Sequence, residues 1–222
     1  MRIISGKYKG RIIKMPQDIR PTQDKVRKAL FDILGEIDSL SFLELFAGSG
    51  AIGIEAVSRG AKKVVFVEHN PICVRILKNN FSYLLPPTSY LLPLKVSTAV
   101  EKLSKDKAIF DIIFMDPPYY KDLALRLRSG PMMSRVESLA KKTLQILSGY
   151  DILTPNGFII VQHFKKDNLP VTAGDLTLFK QARYGDTVLS FYRKVTISQS
   201  SMKITEHREE KNEKISSVIC TL

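Results

Sequence analysis

From residue 42 onward the chain alternates short apolar runs with stretches of helical periodicity. Runs at 42–46, 64–68, 91–96, 110–116 and 157–163 predict buried strands. Helical segments at about 51–59, 71–84 and 98–104 separate them, with one or two further pieces between 121 and 150. Strands apolar on both faces and spaced by helices predict a parallel sheet covered on both sides. Right-handed crossovers make it doubly wound. Two last strands, 176–183 and 187–195, flank Tyr184-Gly185-Asp186, a hairpin connection, so the sheet is expected to end on an antiparallel strand.

The first forty residues have a different pattern. Arg2-Ile3-Ile4 and Arg11-Ile12-Ile13 read as two arms of a hairpin, with Gly6 and Gly10 bracketing Lys7-Tyr8-Lys9. Val26, Leu30, Ile33 and Leu34 then form one helical stripe. Thr22 is its expected N-cap, Asp24 lies in its first turn and Gly35 follows its end. The expected organisation is a basic hairpin arm over 1–19, a main domain over 20–196 and a polar tail over 197–222. The stretch 123–147 is longer than a simple crossover needs and reads as a surface insertion.

Composition adds an anionic partner to this picture. The 222 residues carry a formal net charge of +12. Nine Lys or Arg against two Asp in residues 1–28 give that segment +7, more than half of the excess. Nucleic acid is the first candidate partner. Arg2, Lys7, Lys9, Arg11, Arg20 and Lys25 are the candidate phosphate contacts, although an edge hairpin kept soluble by lysines explains the same pattern. The two cysteines and three histidines are scattered, which gives neither a disulfide framework nor metal-ligand spacing. No segment has signal-peptide or transmembrane character. A soluble, cytoplasmic monomer without a metal is expected.

Candidate chemistry lies at the ends of the expected strands. Glu44-Leu45-Phe46-Ala47-Gly48-Ser49-Gly50 follows the first strand and opens a helix, and Gly48, Gly50 and Gly53 satisfy G-x-G-x-x-G. Glu68 ends the second strand, where a carboxylate can accept ribose hydroxyls. Asp116-Pro117-Pro118-Tyr119 ends the fourth, because consecutive prolines cannot continue a ladder. An acceptor, stiff backbone carbonyls and a flat ring together suit a planar amine such as that of a nucleobase. The same tetrapeptide also fits a tight turn that happens to contain an Asp. A dinucleotide-dependent oxidoreductase remains open on the glycine loop alone. Glu44 argues against it, since a carboxylate beside the loop repels a pyrophosphate but can order a ligand bearing an amine.

Taken together these motifs resemble the RsmD family, bacterial methyltransferases acting on guanine N2 of small-subunit ribosomal RNA. The likeness covers about residues 1–195. It rests on Arg2-Ile3-Ile4-Ser5-Gly6 with Lys9-Gly10-Arg11, Arg20-Pro21-Thr22 with Asp24-Lys25-Val26-Arg27, the glycine loop, Val67-Glu68, Asp116-Pro117-Pro118-Tyr119 and Tyr184-Gly185-Asp186-Thr187. The resemblance implies a class I, Rossmann-like methyltransferase fold of seven mostly parallel strands with one antiparallel, plus the N-terminal hairpin. It also implies S-adenosyl-L-methionine as cofactor and 16S rRNA, or a small-subunit assembly intermediate, as partner. Thr22, Arg27, Glu44, Phe46, Ala47, Gly48, Ser49, Gly50, Glu68, His69, Thr98 and Asp116 are then the cofactor set, and Asp116, Pro117, Pro118 and Tyr119 the catalytic one.

Two departures stand out. Ser97-Thr98-Ala99 occupies the place where similar enzymes carry Asp or Asn for the adenine amino group. Gln162 follows the fifth strand's apolar core, where an acidic residue is common. A DNA amino-methyltransferase shares the tetrapeptide but usually adds a recognition domain that this length scarcely accommodates. A non-catalytic RNA-binding module explains the charge and leaves the pocket motifs unexplained.

Overall fold

A computed structural model describes residues 1–16, 24–81, 88–118 and 138–195. One eight-stranded sheet organises them, in the order β3-β2-β1-β4-β5-β8-β7-β6. The strands are β1 (Ser41–Leu45), β2 (Lys63–Val67), β3 (Tyr90–Leu92), β4 (Phe110–Met115), β5 (Leu153–Phe164), β6 (Thr172–Ala173), β7 (Leu176–Tyr184) and β8 (Thr187–Lys194). The first five run parallel, β8 is antiparallel to β5, and β7 and β6 follow as antiparallel neighbours. The expected mostly parallel sheet with an inverted β8 is present. It gains β6, an eighth strand that sequence reading missed because two residues carry no periodicity.

The helices are α1 (Asp24–Leu34), α2 (Ala51–Ser58), α3 (Pro71–Phe81), α4 (Val96–Lys105) and α5 (Leu139–Ser148). Alternate residues of each strand feed two separate cores. Phe42, Phe66 and Phe114 meet Leu30, Phe31, Ile54 and Leu77 on one face. Leu43, Val65 and Ile113 meet Val100, Leu103 and Leu144 on the other. Chain order reverses direction between β1 and β4, and the crevice outside their carboxyl ends is where open α/β sheets bind ligands.

The N-terminal hairpin is part of the first core. An antiparallel bridge joins Arg2 and Ile12, and Ile3 and Ile13 are buried. The buried Glu55 carboxylate of α2 accepts the Ile4 and Ser5 amides at 2.8 and 3.0 Å. The Lys7 amide donates to the Ser58 carbonyl at 2.7 Å. At Gly6 a Cβ would lie 1.8 Å from that carbonyl oxygen, so the close approach requires glycine. The expected third strand, 91–96, is cut to Tyr90–Leu92, and α4 starts at Val96. Pro93 cannot donate to a ladder, which accounts for the early stop.

Candidate active site

Glu44 and Asp116 come from neighbouring strands. Register pairs Glu44 with Phe114 and Leu45 with Met115, so Asp116 stands just past the end of β4 beside the glycine loop. Phe46 turns the chain out of β1 with φ of 58°, a left-handed conformation costly for phenylalanine and typical of strained functional loops. Its half-buried ring packs against the α4/α5-side core. Gly50, with φ of 78°, begins α2 without a side-chain cap, and the Glu44 carboxyl takes up amides of the helix's first turn, Ile52 and Gly53, in its place.

Glu68 shapes the loop from the other side. Its Oε2 accepts the Gly48 amide at 2.8 Å, and Oε1 accepts the His69 and Asn70 amides at 2.8 and 2.7 Å. Three backbone donors use three of about four acceptor positions of a carboxylate, leaving room for one more donor such as a ribose hydroxyl. The His69 ring is mostly exposed, with Nδ1 3.7 Å from Glu68.

Glu44 is 3% exposed, and its Oε2 accepts the Gly53 amide at 2.8 Å. Burial pushes its carboxyl up to about 8 against the opposing backbone hydrogen bonds, and the negative charges of Asp116 and Glu68 add to the rise. Three carboxyl groups thus converge on one crevice, and a positive charge placed among them would favour their ionised forms.

Asp116 is half-buried, and its Oδ2 accepts Gln162 Nε2 at 2.7 Å. Pro117 is buried and Pro118 exposed. Tyr119, Thr22 and Arg20 lie outside the described residues, as do the centre of the 123–147 insertion and the tail beyond 196.

The remaining expected site residues are spread over the hairpin, α1 and α4. Arg27, expected at the cofactor, is fully buried beneath the hairpin, where its Nη2 donates to the Arg2 carbonyl and to Asp24. Burial lowers its guanidinium below the usual range, against the pull of Glu55 and Asp24. It therefore anchors the hairpin through contacts to that segment. Thr98 is exposed in the first turn of α4, which follows β3, the neighbour of β2. Arg2, Lys7, Lys9, Arg11 and Lys25 are all exposed. Lys7 and Arg11 lie 5.5 and 5.0 Å from the Tyr8 ring centre, which gathers cations at the hairpin tip.

Asn80 was not singled out from sequence. Its Nδ2 donates to the Ser49 carbonyl at 3.1 Å and the Lys14 carbonyl at 3.0 Å, while Oδ1 accepts the Lys14 amide at 2.9 Å. One buried amide thereby ties the hairpin's outgoing strand to the glycine loop. The available signal was its position on the buried stripe Cys73, Leu77 and Asn80 of α3.

The chain is similar to known proteins over most of its length. A family model described as "Conserved hypothetical protein 95" matches residues 1–193. The Bacillus subtilis (strain 168) protein YlbH, provisionally named an rRNA methyltransferase, is 34% identical over 87% of this chain and 99% of its own. The Haemophilus influenzae protein named "Ribosomal RNA small subunit methyltransferase D" is 31% identical over 87% of this chain and 93% of its own. The solved structure of Escherichia coli yhhF, provisionally described as a methyltransferase, superposes with a TM-score of 0.72 at 26% identity, covering 87% of this chain and 97% of that one. With its hairpin, glycine loop and Asp116-Pro117-Pro118-Tyr119 in one continuous match, the chain belongs to the conserved hypothetical protein 95 family, which is the RsmD family.

Proposed function

We propose that this protein transfers a methyl group from S-adenosyl-L-methionine to the exocyclic N2 of a guanine in small-subunit ribosomal RNA. The observation that carries the reading is the placement of Asp116, on a proline-stiffened strand end, beside a glycine loop framed by Glu44 and Glu68.

The residues present fit the cofactor. A Cβ at Gly48 would meet nothing within 4 Å, so open space adjoins the loop where a ligand would lie. Glu68 has acceptor capacity for a ribose hydroxyl, and the crowded carboxylates around Glu44 favour a cationic ligand. When bound, the cofactor supplies a methyl group on a positively charged sulfonium. Because that charge disappears during transfer, the protein's task is alignment more than strong base catalysis.

An exocyclic guanine amine is a weak nucleophile, since its lone pair is conjugated with the ring. Asp116 and a backbone carbonyl of the Pro117-Pro118 turn would accept its two hydrogens. That arrangement orients the nitrogen lone pair and stabilises positive charge developing on the amine. Tyr119 would stack on a base splayed out of its RNA context. The exposed cations of the hairpin would hold phosphates, giving affinity without much sequence information. This reading places a monomer in the cytoplasm, acting on 16S rRNA or an assembling small subunit.

The test is transfer of a labelled methyl group to undermodified small subunits and to naked 16S rRNA, followed by nucleoside analysis. The expected product is N2-methylguanosine. Label in a methylated adenosine or cytidine would overturn the substrate assignment.

A further inference from the structure

We infer that Gln162 is a positioning residue for methyl transfer, one that holds the Asp116 carboxylate in place as an ionised acceptor for the substrate amine. The inference rests on the reading of Asp116 as the amine-binding group. Its starting point is the 2.7 Å hydrogen bond from Gln162 Nε2 to Asp116 Oδ2.

The sheet makes that bond a fixed feature. Met115 pairs with Val161 across β4 and β5, which brings the residues that follow them, Asp116 and Gln162, side by side. Gln162 is 4% exposed, and β8 backs it through the pairing of Gln162 with Leu189. Its neighbour His163 is equally fixed, with Nε2 2.8 Å from the Ser190 hydroxyl, which also accepts Gln181 Nε2 at 2.9 Å. The amide therefore reaches Asp116 from a wall that cannot readily turn away.

The chemistry explains why an amide suits this place. Glu44 from β1 is coupled electrostatically to Asp116 and to Glu68 from the end of β2, so the site already gathers acidic groups beside Asp116. From the β5 side, His163 and Asp167 face Pro117 and Pro118 across a small cavity. Burial holds His163 below the ordinary histidine range, so it brings no positive charge near neutral pH. A donor bonded to the charged form favours that form. A lysine or arginine would do this too, but would set a cation beside a cationic methyl donor. An acidic side chain would add a further negative charge and compete for the proton. Glutamine donates without charge, and its planar amide fixes the plane of the carboxylate it meets.

The test uses single-turnover methyl transfer from pH 5.5 to 9 with three variants of the full chain. Gln162→Met keeps the bulk and removes the donor. Its transfer rate should fall about 10- to 100-fold, the range for hydrogen bonds to charged groups. The acidic limb of its pH profile should move to higher pH. Gln162→Glu sets two carboxyls together and should move the limb further in the same direction. Thermal unfolding and equilibrium binding of S-adenosylhomocysteine should match wild type, which separates positioning from folding. A Gln162→Met enzyme with a rate within about twofold of wild type and an unmoved acidic limb overturns the inference. Asp116→Ala separates the two levels of the argument. An inactive Asp116→Ala beside a near-normal Gln162→Met refutes the role of Gln162 alone, whereas an active Asp116→Ala refutes the reading beneath it.

Discussion

Glu44 makes stability depend on pH in a calculable way. Its carboxyl keeps its proton in the folded protein up to about pH 8, whereas an unperturbed glutamate releases it near 4.5. Between those values the native state binds one more proton than the unfolded chain. The stabilising contribution is therefore complete below about 4.5 and is lost as pH rises through 8. Each pH unit in that window is worth about 1.4 kcal/mol, so raising the pH from 5 to 8 removes roughly 4 kcal/mol. That is a large share of the roughly 5–15 kcal/mol typical of a domain. Glu44→Gln keeps an oxygen for the Gly53 amide and does not titrate. Urea unfolding of both proteins at pH 5, 6.5, 8 and 9 gives the comparison, because titrating groups that do not interact with Glu44 cancel in the difference. The variant should gain about 4 kcal/mol on wild type from pH 5 to 8 and little beyond. Parallel stability profiles would refute the reasoning.

Two further perturbations probe the hairpin and its connection to the loop. Asn80→Ala removes three hydrogen bonds shared by Lys14 and Ser49, so urea unfolding should show a loss of roughly 2–4 kcal/mol, with weaker binding of S-adenosylhomocysteine. Normal cofactor affinity in that variant would separate Asn80 from the glycine loop. Replacing Lys7, Lys9 and Arg11 together by Ala should lower RNA affinity and reduce the slope of log affinity against log salt by about 2, measured by filter binding. An unchanged slope would remove the hairpin tip from the RNA interface.

The sequence made the main sheet legible because its strands are doubly buried and its loops carry glycine or proline. Apolar runs such as Phe110 to Met115 need no tertiary information to read as strands. Glu44, Glu68 and Asp116 were legible as a set because the end of each strand marks the same edge of a parallel sheet. Contacts between distant segments were not legible. Arg27 carries no local sign that it donates to the Arg2 carbonyl, and Glu55 none that it accepts the Ile4 amide. Gln162 could be noticed only as a departure from an acidic pattern. Its use became visible when β4 and β5 were paired in register.

The proposed reaction turns on Asp116 presenting a guanine amine for methylation. Nucleoside analysis after labelled-methyl transfer, run on wild type and Asp116→Ala with S-adenosylhomocysteine binding measured on both, tests it most directly. Wild type should form N2-methylguanosine, Asp116→Ala almost none, and the two should bind the cofactor product with similar affinity. N2-methylguanosine formed by Asp116→Ala at a near-wild-type rate would contradict it.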